Sequence, residues 1–446
     1  MAEAGATRET KTMLLNVGPS HPAMHGVIRL ITELEGETVV RVEAEIGYLH
    51  RAFEKSCENT SWNNAIPYTD RLNYVSPLIN NFGYCGAVEK LLGIEITERC
   101  RYLRVIMSEI SRITDHLTCI AASAMELGAM TAFLYLMKAR EYLYEIVEEV
   151  TGARLTISYG RIGGVKADLP AGIGERLEKA LRGVEHEMGE VDKLLTRNRI
   201  FYDRLRDVGV LTRADALSYG VTGPMARASG IRYDVRKNFP YFAYDRVEFA
   251  VPLGDRGDND DRYNVRMEEM RQSIRIIRQA LRDLPGGPVQ VDAAGHVVES
   301  FDLVDRAKMG RTASLTKVVS TVDPTLDGTQ RPFHERIYPD ARGVVLPSKE
   351  NTYGNIEGLM NHFKLIMDYH GIRPPAGDAY FPVEGANGEL AFYVVSDGQD
   401  RPYRVRVRPP CFFNMAVLHK LLEGYMVADV IATFGSINMI AGELDR

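Results

Sequence analysis

Apolar positions recur every three or four residues along much of the middle of the chain. Between residues 103 and 124 they form one continuous stripe, made of Leu103, Ile106, Ile110, Ile113, Leu117, Ile120 and Ala124. Because this spacing places side chains on one face of an α-helix, it predicts a helix of about six turns. A second helix is predicted at about 131–150, ended by Gly152, since a glycine often follows the last helical residue.

Further helices and two hairpins complete the predicted elements. The helices are expected at about 173–206, 262–283, 355–370 and 414–433. Long apolar stripes repeated in this way indicate a central helical bundle. Stretches rich in β-branched residues predict one hairpin from strands at 27–34 and 38–46, and another within 390–408. The pattern therefore predicts an α+β fold in which helices dominate.

The same pattern divides the chain into five segments. They are a flexible tail at 1–15, an N-terminal β unit with a histidine-containing loop at 16–66, a helical core at 67–285, an insertion or long loop at 286–350, and a closing helix, hairpin and tail at 351–446. The fourth segment is rich in Gly, Pro, Asp and Thr and has only short apolar runs. That composition is typical of loops.

Composition indicates a globular protein that can bury a sizeable core. Of 446 residues, 45% are hydrophobic and 26% are charged. The formal charge of −6 and the lack of a Lys/Arg block argue against nucleic-acid binding. No uninterrupted apolar run reaches the roughly 18–20 residues of a membrane span. If the protein works at a membrane, we expect partner proteins to hold it there.

The cysteines do not form a metal-binding or disulfide pattern. Five cysteines are scattered along the chain without any C-x-x-C pair, at positions 57, 85, 100, 119 and 411. Such spacing supports neither a zinc site nor a self-contained iron–sulfur site, and an odd count argues against a disulfide framework. A reduced, cytosol-facing compartment is the simplest inference.

The stretch Asn16–Gly26 is the first candidate for chemistry. It contains His21 and His25 together with two prolines and two glycines. Each proline fixes its own φ and lacks an N–H donor, so we predict a stiff loop that is not helical. Histidine titrates near neutral pH, and the loop could therefore carry proton chemistry. The simpler alternative is a capped turn whose histidines bond to backbone groups.

Three other patterns have simple structural interpretations. Asp255–Asp261 is acidic but lacks the EF-hand order, so we predict a solvated turn before a helix. His116 lies on the long predicted helix and is expected to be a packed or surface histidine. Arg161–Val165 contains paired glycines but no G-x-G-x-x-G, and no nucleotide fingerprint occurs elsewhere, so we do not expect this chain to bind a dinucleotide.

Seven motifs, which follow one another in a fixed order along the chain, indicate the protein family more specifically than composition does. They are the loop Asn16–Gly26, Gly47–Arg51 with Phe53–Lys55, Asp70–Tyr74, Arg161–Val165 with Asp168–Pro170, Ala228–Gly230 with Tyr233–Lys237, Pro252–Asp258, and Gly442–Arg446. Together they resemble the D subunit, which forms the quinone pocket, of respiratory complex I (NADH:quinone oxidoreductase). The resemblance extends from about residue 16 to 446, except for much of 290–350.

The resemblance implies a fold similar to the large subunit of nickel–iron hydrogenases, to which this family is related. A hydrogenase needs two C-x-x-C pairs, because thiolates are the soft ligands that hold nickel and iron. The first pair would fall where this chain has Asn73 and Ser76, and the second within Gly435–Gly442, which contains no cysteine. Cys57 and Cys411 are isolated. A metal-containing hydrogenase is therefore disfavoured, and we expect no metal to be bound by this chain.

The resemblance assigns the quinone chemistry to two hydrogen-bond donors, His25 and Tyr74. Reduction to quinol takes two electrons and two protons, and both carbonyl oxygens gain negative charge, so donors on opposite sides of the ring suit it. The family usually has an aspartate that orients the histidine, and the matching position here is Glu126. Its carboxylate would fix the tautomer of His25 and favour the protonated form. Alternatively, Glu126 is a solvated helix residue.

The resemblance also places two positions near a 4Fe–4S cluster that a partner subunit holds. Arg71 would approach that cluster and raise its potential, with an ordinary ion pair as the alternative. Many members have a histidine after the Gly-Ala-Arg turn that couples the potential to pH. Here the turn is Gly152–Arg154, and the matching residue is Thr156. This departure argues against the pH coupling and is a weak indication of a lower-potential cluster that serves menaquinone.

The implied enzyme works only as a complex. The substrate would be a quinone, either ubiquinone or menaquinone, and this chain alone would be inactive. The implied partners are the cluster subunit, a protein like the C subunit, and the membrane-arm subunit that forms the quinone channel, at the cytoplasmic face of the membrane. In the family, quinone reduction is coupled to proton translocation. The alternatives are a related oxidoreductase fed by ferredoxin or another donor, and a structural scaffold with an inactive cavity.

Overall fold

A computed structural model describes residues 12–20, 26–291, 345–347, 349–354, 356–367 and 370–446 of the chain. Within them, helices form the core, and two antiparallel three-stranded sheets flank it. The predicted α+β fold dominated by helices is confirmed. His25 and most of the predicted segment 286–350 lie outside the described residues.

The longest described helix, α4, runs through the middle of the core. Helix α4 spans Glu98–Glu126, and the Thr97 side chain caps it by accepting from the Cys100 N–H. It packs against α3 (Pro77–Leu92), α5 (Met130–Thr151) and α11 (Asn259–Arg282). The predicted stripe is buried, but much of the opposite face is buried as well. The polar side chains on that face are therefore paired inside the protein.

The remaining described helices are shorter. They are α1 (Phe53–Glu58), α2 (Ile66–Thr69), α6 (Ile173–Val191), α7 (Arg199–Leu205), α8 (Arg213–Ser218), α9 (Gly223–Ala228), α10 (Val235–Asn238), α12 (Lys349–Gly354), α13 (Ile356–Ile366), α14 (Pro410–Ala416), α15 (Leu418–Leu422), α16 (Val427–Ile437) and α17 (Ala441–Asp445). A π-helical turn at Asp192–Thr196 follows α6, and a 3₁₀ turn lies at Tyr244–Arg246.

Two predicted helices are interrupted. The helix expected at 173–206 divides into α6, the π turn and α7, because Asn198 starts a new helix by accepting from the N–H groups of Ile200 and Phe201. The helix expected at 414–433 is three helices, α14 to α16. Gly424, with a φ of +88°, breaks it and turns the backbone towards the N-terminal sheet.

The N-terminal sheet has the order β1-β2-β3, with β1 at Met13–Val17, β2 at Arg29–Glu35 and β3 at Thr38–Glu45. The β2–β3 hairpin is the one predicted from the sequence. Strand β1 includes residues 13–15, which the sequence assigns to a tail. The prediction misses it because Met13 and Leu14 are largely exposed, so no buried face marks the strand; only its pairing with β2 creates it.

Two short strands, β4 (Gly160–Arg161) and β5 (Gly164–Val165), pair with each other in the loop between α5 and α6. The C-terminal sheet consists of β6 (Gly377–Glu384), β7 (Glu389–Ser396) and β8 (Arg404–Arg408), in that order. The β7–β8 hairpin is the predicted one. Strand β6 is not predicted, because it contains Pro382 and several polar residues that obscure a strand pattern. It packs against α3 and joins this sheet to the core.

The acidic stretch Asp255–Asp261 lies before a helix as predicted, since Asp258 caps the N-terminus of α11. The prediction that it is solvated is wrong for Asp258, Asp260 and Asp261, which are buried. Arg256 Nε donates to Asp258 Oδ2 at 3.0 Å, and the Arg256 and Gly257 N–H groups donate to Asp261 Oδ2. These donors inside the protein take the place of water as hydrogen-bond partners of the Asp258 and Asp261 carboxylates.

The buried apolar side chains form two clusters. The larger surrounds α3, α4, α5, α6 and α11. The smaller lies beneath the N-terminal sheet and is completed by the last helices, α14 to α17. Strand β3 also bonds through its backbone to the segment before α16, with Val39 N donating to Tyr425 O at 2.8 Å. The C-terminal end of the chain is thereby built into the N-terminal unit.

Candidate functional site

Tyr74 lies in the irregular turn between α2 and α3 and is half-buried. Burial raises the pKa of its hydroxyl, and the neighbouring Cys411 and Asp115 side chains raise it further. The phenol is therefore protonated at neutral pH. Among the described residues, none forms a hydrogen bond with this hydroxyl. A protonated donor is thus available at the position where the sequence predicts one.

Asp115 fixes the turn that carries Tyr74. This fully buried carboxylate accepts from Asn73 Nδ2 at 2.9 Å and from Ser76 Oγ at 2.8 Å, both on Oδ2. Its Oδ1 accepts from Asn438 Nδ2 at 2.6 Å. Asp115 on α4 therefore joins the Tyr74 turn to the segment between α16 and α17.

These three donors lie in the two segments to which the sequence analysis assigned the cysteine pairs expected of a hydrogenase. Asn73 and Ser76 occupy the first, and Asn438 lies in the second. Amide and hydroxyl groups that donate to one carboxylate do not form a thiolate site for a soft metal. The sequence interpretation missed Asp115. The sequence carries no signal for it, because polar residues such as Glu109, Arg112 and His116 lie on the same helix.

The C-terminal helix α17 lies directly against the Tyr74 turn. A Cβ on Gly442 would lie 2.7 Å from the carbonyl oxygens of Arg71 and Leu72 and 3.4 Å from Tyr74 Cδ1, so a glycine is required for this close approach. On another side, a Cβ on Gly26 would lie 2.8 Å from Ala441 Cβ. Helix α17 thus contacts both the Tyr74 turn and the residue that follows His25.

Asp445 holds the Gly47–Arg51 motif to the same helix. Its carboxylate accepts from the N–H groups of Gly47 at 2.9 Å and Leu49 at 2.8 Å. Its backbone oxygen lies 2.7 Å from Nδ1 of His50. Two of the sequence motifs, far apart in the chain, therefore meet beside Tyr74.

Arg71 lies at the outer side of the turn. Its Nη1 donates to the Pro67 carbonyl at 2.6 Å and to Asp70 Oδ1 at 2.7 Å, while 47% of the side chain stays exposed. Arg51 Nη2 donates to the Arg71 carbonyl at 2.6 Å. Burial lowers the pKa of Arg51, as does the neighbouring charge of Arg71. Two guanidinium groups are therefore concentrated here.

Asp70 connects Arg71 to the loop that contains Thr156. The Asp70 side chain is buried, and its Oδ2 accepts from Ser158 Oγ at 2.9 Å. Burial raises the pKa of Asp70, against the effects of Ser158 and Arg71. Thr156 is exposed in this loop, with a φ of +53°. The two positions that the resemblance places near a cluster thus belong to adjacent segments.

Glu126 is the last residue of α4 and is partly exposed. Its Oε2 faces α16, since it would lie 3.2 Å from a Cβ built on Gly435. The predicted partner, His25, lies outside the described residues. The predicted pairing of Glu126 with His25 therefore stays a prediction.

His116 is a packed core histidine, as predicted. It is fully buried, and its Nε2 lies 2.8 Å from Glu269 Oε2. Glu269 Oε1 accepts from Arg227 Nε at 2.7 Å, and Arg227 Nη1 donates to Glu384 Oε1 at 2.8 Å. Burial alone would raise the pKa of Glu269, but Arg227 and His116 hold it below its usual range. This network adjoins Asp115 through His116, the next residue along α4.

All five cysteines are free and buried. Burial is the main reason why the pKa of each thiol is raised, to about 12 for Cys85 and about 11 for Cys100 and Cys119. In the part of the chain that the structure describes, one group of acidic, histidine or cysteine side chains is close enough to hold a metal ion: Asp258, Asp260 and Asp261. Internal bonds to Arg256 and backbone N–H groups already engage it.

None of the described helices combines the length and the apolar character that crossing a membrane requires.

Comparison with known proteins identifies the family. Residues 126–446 match the family described as the 49 kDa subunit of respiratory-chain NADH dehydrogenase. The NADH-quinone oxidoreductase D subunit of Myxococcus xanthus is 48% identical over 445 residues, which cover 100% of this chain and 95% of that protein. The D subunit of Pelobacter propionicus is 48% identical over 440 residues, covering 99% of this chain and 97% of that protein.

A fused relative is also similar. The NADH-quinone oxidoreductase C/D subunit of Bdellovibrio bacteriovorus is 46% identical over 442 residues, which cover 99% of this chain and 70% of that protein. The family match and the full-length relatives confirm the resemblance seen in the sequence. The chain belongs to the D-subunit family of NADH-quinone oxidoreductase, respiratory complex I, and is a part of that enzyme.

Proposed function

We propose that this subunit forms the quinone head-group pocket of the complex, with Tyr74 and His25 as the two donors to the quinone oxygens. The observation that carries the proposal is the state of Tyr74: a protonated, half-buried phenol, without a partner among the described residues, in a turn that Asp115 fixes. A fixed donor supplies its hydrogen bond with little reorganisation when charge develops on the substrate.

The proposed chemistry needs two protons from the protein side. As the quinone gains two electrons, Tyr74 stabilises the charge on one oxygen and His25 on the other, and both can transfer their protons. The contact of Gly26 with Ala441 and the contact of Gly442 with the Tyr74 turn support this arrangement, because they bring the residue next to His25 and the Tyr74 turn onto one short helix, α17. Glu126 is proposed to orient His25.

The electrons are proposed to come from a 4Fe–4S cluster in a partner subunit that covers Arg71 and the loop around Thr156. The exposed guanidinium of Arg71 and the neighbouring Arg51 support this placement. A fixed positive charge favours the reduced cluster and raises its potential. Thr156 has no ionisable side chain, so it cannot add a pH-dependent charge.

The other proposed partner subunits and the proposed location of the complex are those expected for the same family. The cluster subunit and the membrane-arm quinone-channel subunit are proposed partners, and the complex is proposed to lie at the cytoplasmic face of the membrane and to translocate protons. A partner like the C subunit is supported by the Bdellovibrio relative, which carries C and D in one chain.

The test is Tyr74→Phe in the assembled complex. We expect NADH:quinone turnover to be lost, while electron transfer from NADH to an artificial acceptor that bypasses the quinone site continues. Tyr202→Phe on α7 is the matched control and should leave turnover unchanged. Normal quinone turnover in Tyr74→Phe would contradict the proposal.

A further inference from the structure

A second buried acid lies beside the Tyr74 turn, and the chemistry above does not use it. Glu443 follows Gly442 on α17 and is 1% exposed. Its Oε1 accepts from the backbone N–H of Cys411 at 3.3 Å. The side chains of Cys411 and Asn387 also hydrogen-bond to it. All of these partners are neutral.

Buried polar groups connect Glu443 to the Tyr74 turn. Asn387 lies between the two acids: its Nδ2 contacts Cys411 Sγ at 3.3 Å, and its Oδ1 accepts from Asn438 Nδ2 at 2.5 Å. Asn438 also donates to Asp115, which binds Asn73 beside Tyr74. Glu443 and Tyr74 therefore belong to one buried polar cluster around α17.

The two carboxylates of this cluster have different surroundings. Asp115 accepts three side-chain hydrogen bonds at 2.6 to 2.9 Å. Glu443 accepts a backbone hydrogen bond at 3.3 Å and bonds with two neutral side chains, and in the described part of the chain no Arg, Lys or His forms a salt bridge with it. A buried carboxylate without a cation is costly, and a second charge near Asp115 adds repulsion. Glu443 is therefore the member that holds a proton.

The pKa of Glu443 agrees with this geometry. Burial, together with the charge of Asp115, raises it to about 7. The titratable groups that face Glu443 are Cys411 on α14 and Asp115 on α4, and Tyr74 lies against the preceding residue, Gly442. Burial and Glu443 raise the pKa of the Cys411 thiol well above its ordinary value, so this thiol stays neutral.

The basic side chains near this cluster, Arg446, Arg51 and His50, contact groups other than Glu443. Arg446 Nη1 donates to the Val407 carbonyl at 3.3 Å, and its guanidinium stacks on Phe412. The Arg51 guanidinium binds the Arg71 carbonyl, as described above. His50 faces the backbone oxygen of Asp445. None of these cationic or titratable groups neutralises Glu443 in the described structure.

We propose that Glu443 must hold its proton for Tyr74 to donate its own to the quinone, so that ionisation of Glu443 switches quinone reduction off at alkaline pH. This rests on the proposed function of Tyr74. In that step the Tyr74 O–H bond breaks, an O–H bond forms on the two-electron-reduced quinone, and a phenolate remains until water reprotonates it. That phenolate is a new negative charge beside Asp115. A carboxylate at Glu443 would oppose its formation.

The test is the pH profile of kcat for NADH:quinone reduction by the assembled complex, with a short-chain ubiquinone as the substrate. If only the protonated form is active, wild-type kcat falls about tenfold per pH unit above the pKa of Glu443. Glu443→Gln mimics the protonated acid. It should abolish this alkaline decline while leaving KM and kcat at lower pH near the wild-type values. Glu443→Asp should retain a decline.

Two controls separate the possible outcomes. Glu187→Gln replaces another buried glutamate, on α6, and should keep the wild-type profile. The proposal would be overturned if kcat of Glu443→Gln were lower by the same factor at every pH and still declined at alkaline pH. Glu443 would then have a structural role only. If Tyr74→Phe keeps normal turnover, the proposed function itself fails, whatever Glu443 does.

A spectroscopic measurement covers the case in which Glu443→Gln does not assemble. Infrared spectra of the wild-type complex with isotopically labelled glutamate should show the C=O band of a protonated glutamic acid at neutral pH. Its intensity should fall as the pH rises through the same range in which kcat falls. No such titrating band in this range would contradict the proposal.

Discussion

Asn438 donates to Asp115 across 2.6 Å, and this bond joins the C-terminal segment to the central helix α4. The same carboxylate binds Asn73 and Ser76 of the turn that carries Tyr74. One buried anion thus holds together two segments that lie more than three hundred residues apart.

We expect Asp115→Asn to weaken quinone reduction strongly. An amide cannot accept all three hydrogen bonds with the strength of a carboxylate, so the Tyr74 turn should shift. A displacement of about 1 Å at a reacting group lowers the rate by about a hundredfold. The measurement is kcat and KM for NADH:quinone reduction, beside NADH oxidation with an artificial acceptor.

The matched control for Asp115 is Asp203→Asn, at a side chain that is 59% exposed on α7. It should leave both activities unchanged. If Asp115→Asn raises KM alone and leaves kcat at the wild-type value, Asp115 supports substrate binding and does not position the proton donor.

Gly442→Ala should separate α17 from the Tyr74 turn. The added methyl group would lie 2.7 Å from two backbone carbonyl oxygens, and overpacking of this kind costs about 1–3 kcal/mol. We expect a lower yield of assembled complex and reduced quinone turnover per assembled complex. Gly174→Ala on α6 meets open space and is the control. Equal yields and activities for the two variants would contradict the close packing at Gly442.

Arg71→Met tests the cluster side of the proposed pocket. Removing one positive charge should lower the midpoint potential of the partner's cluster, by about 40 mV if the interaction is worth roughly 1 kcal/mol. A redox titration followed by electron paramagnetic resonance measures this potential in membranes. Arg199→Met on α7, where the side chain is 92% exposed, should not change it. An unchanged potential in Arg71→Met would mean that Arg71 serves only its local ion pair with Asp70.

Thr156→His should introduce pH dependence into the same potential. A protonated imidazole adds a positive charge that favours the reduced cluster, so the potential should rise as the pH falls. The slope approaches about 60 mV per pH unit between the histidine pKa values of the reduced and oxidised states. The wild-type potential should be flat over this range. A flat profile in Thr156→His would place the loop outside the reach of the cluster.

The sequence predicted those features that depend on local pattern. Helices α4 and α5 and the two hairpins follow from periodicity and turn residues, and Tyr74 was found through an ordered set of motifs. The role of Asp115 could not be predicted, because it depends on Asn73 and Asn438 meeting α4 in three dimensions. Strand β1 was missed for a similar reason, since its pairing with β2 defines it and its own side chains do not.

The buried network that adjoins Asp115 gives a prediction about acid stability. Glu269 is ionised in the folded state at lower pH than in the unfolded chain, because Arg227 and His116 stabilise its charge. Its contribution to stability is therefore present above the ordinary pKa of 4.5 and is lost as the pH falls below that value. We expect Glu269→Gln to reduce stability by about 3–5 kcal/mol at neutral pH, since Arg227 loses a buried partner.

Thermal dissociation of the assembled complex between neutral and acidic pH measures this effect of Glu269. The Glu269→Gln complex should dissociate at a lower temperature at neutral pH, and the difference from the wild type should shrink on acidification, because the wild type then loses the same ion pair. Glu248→Gln, at a side chain that is 89% exposed, should follow the wild type. A deficit in Glu269→Gln that stays constant down to acidic pH would show that packing, and not the charge of Glu269, stabilises this part of the core.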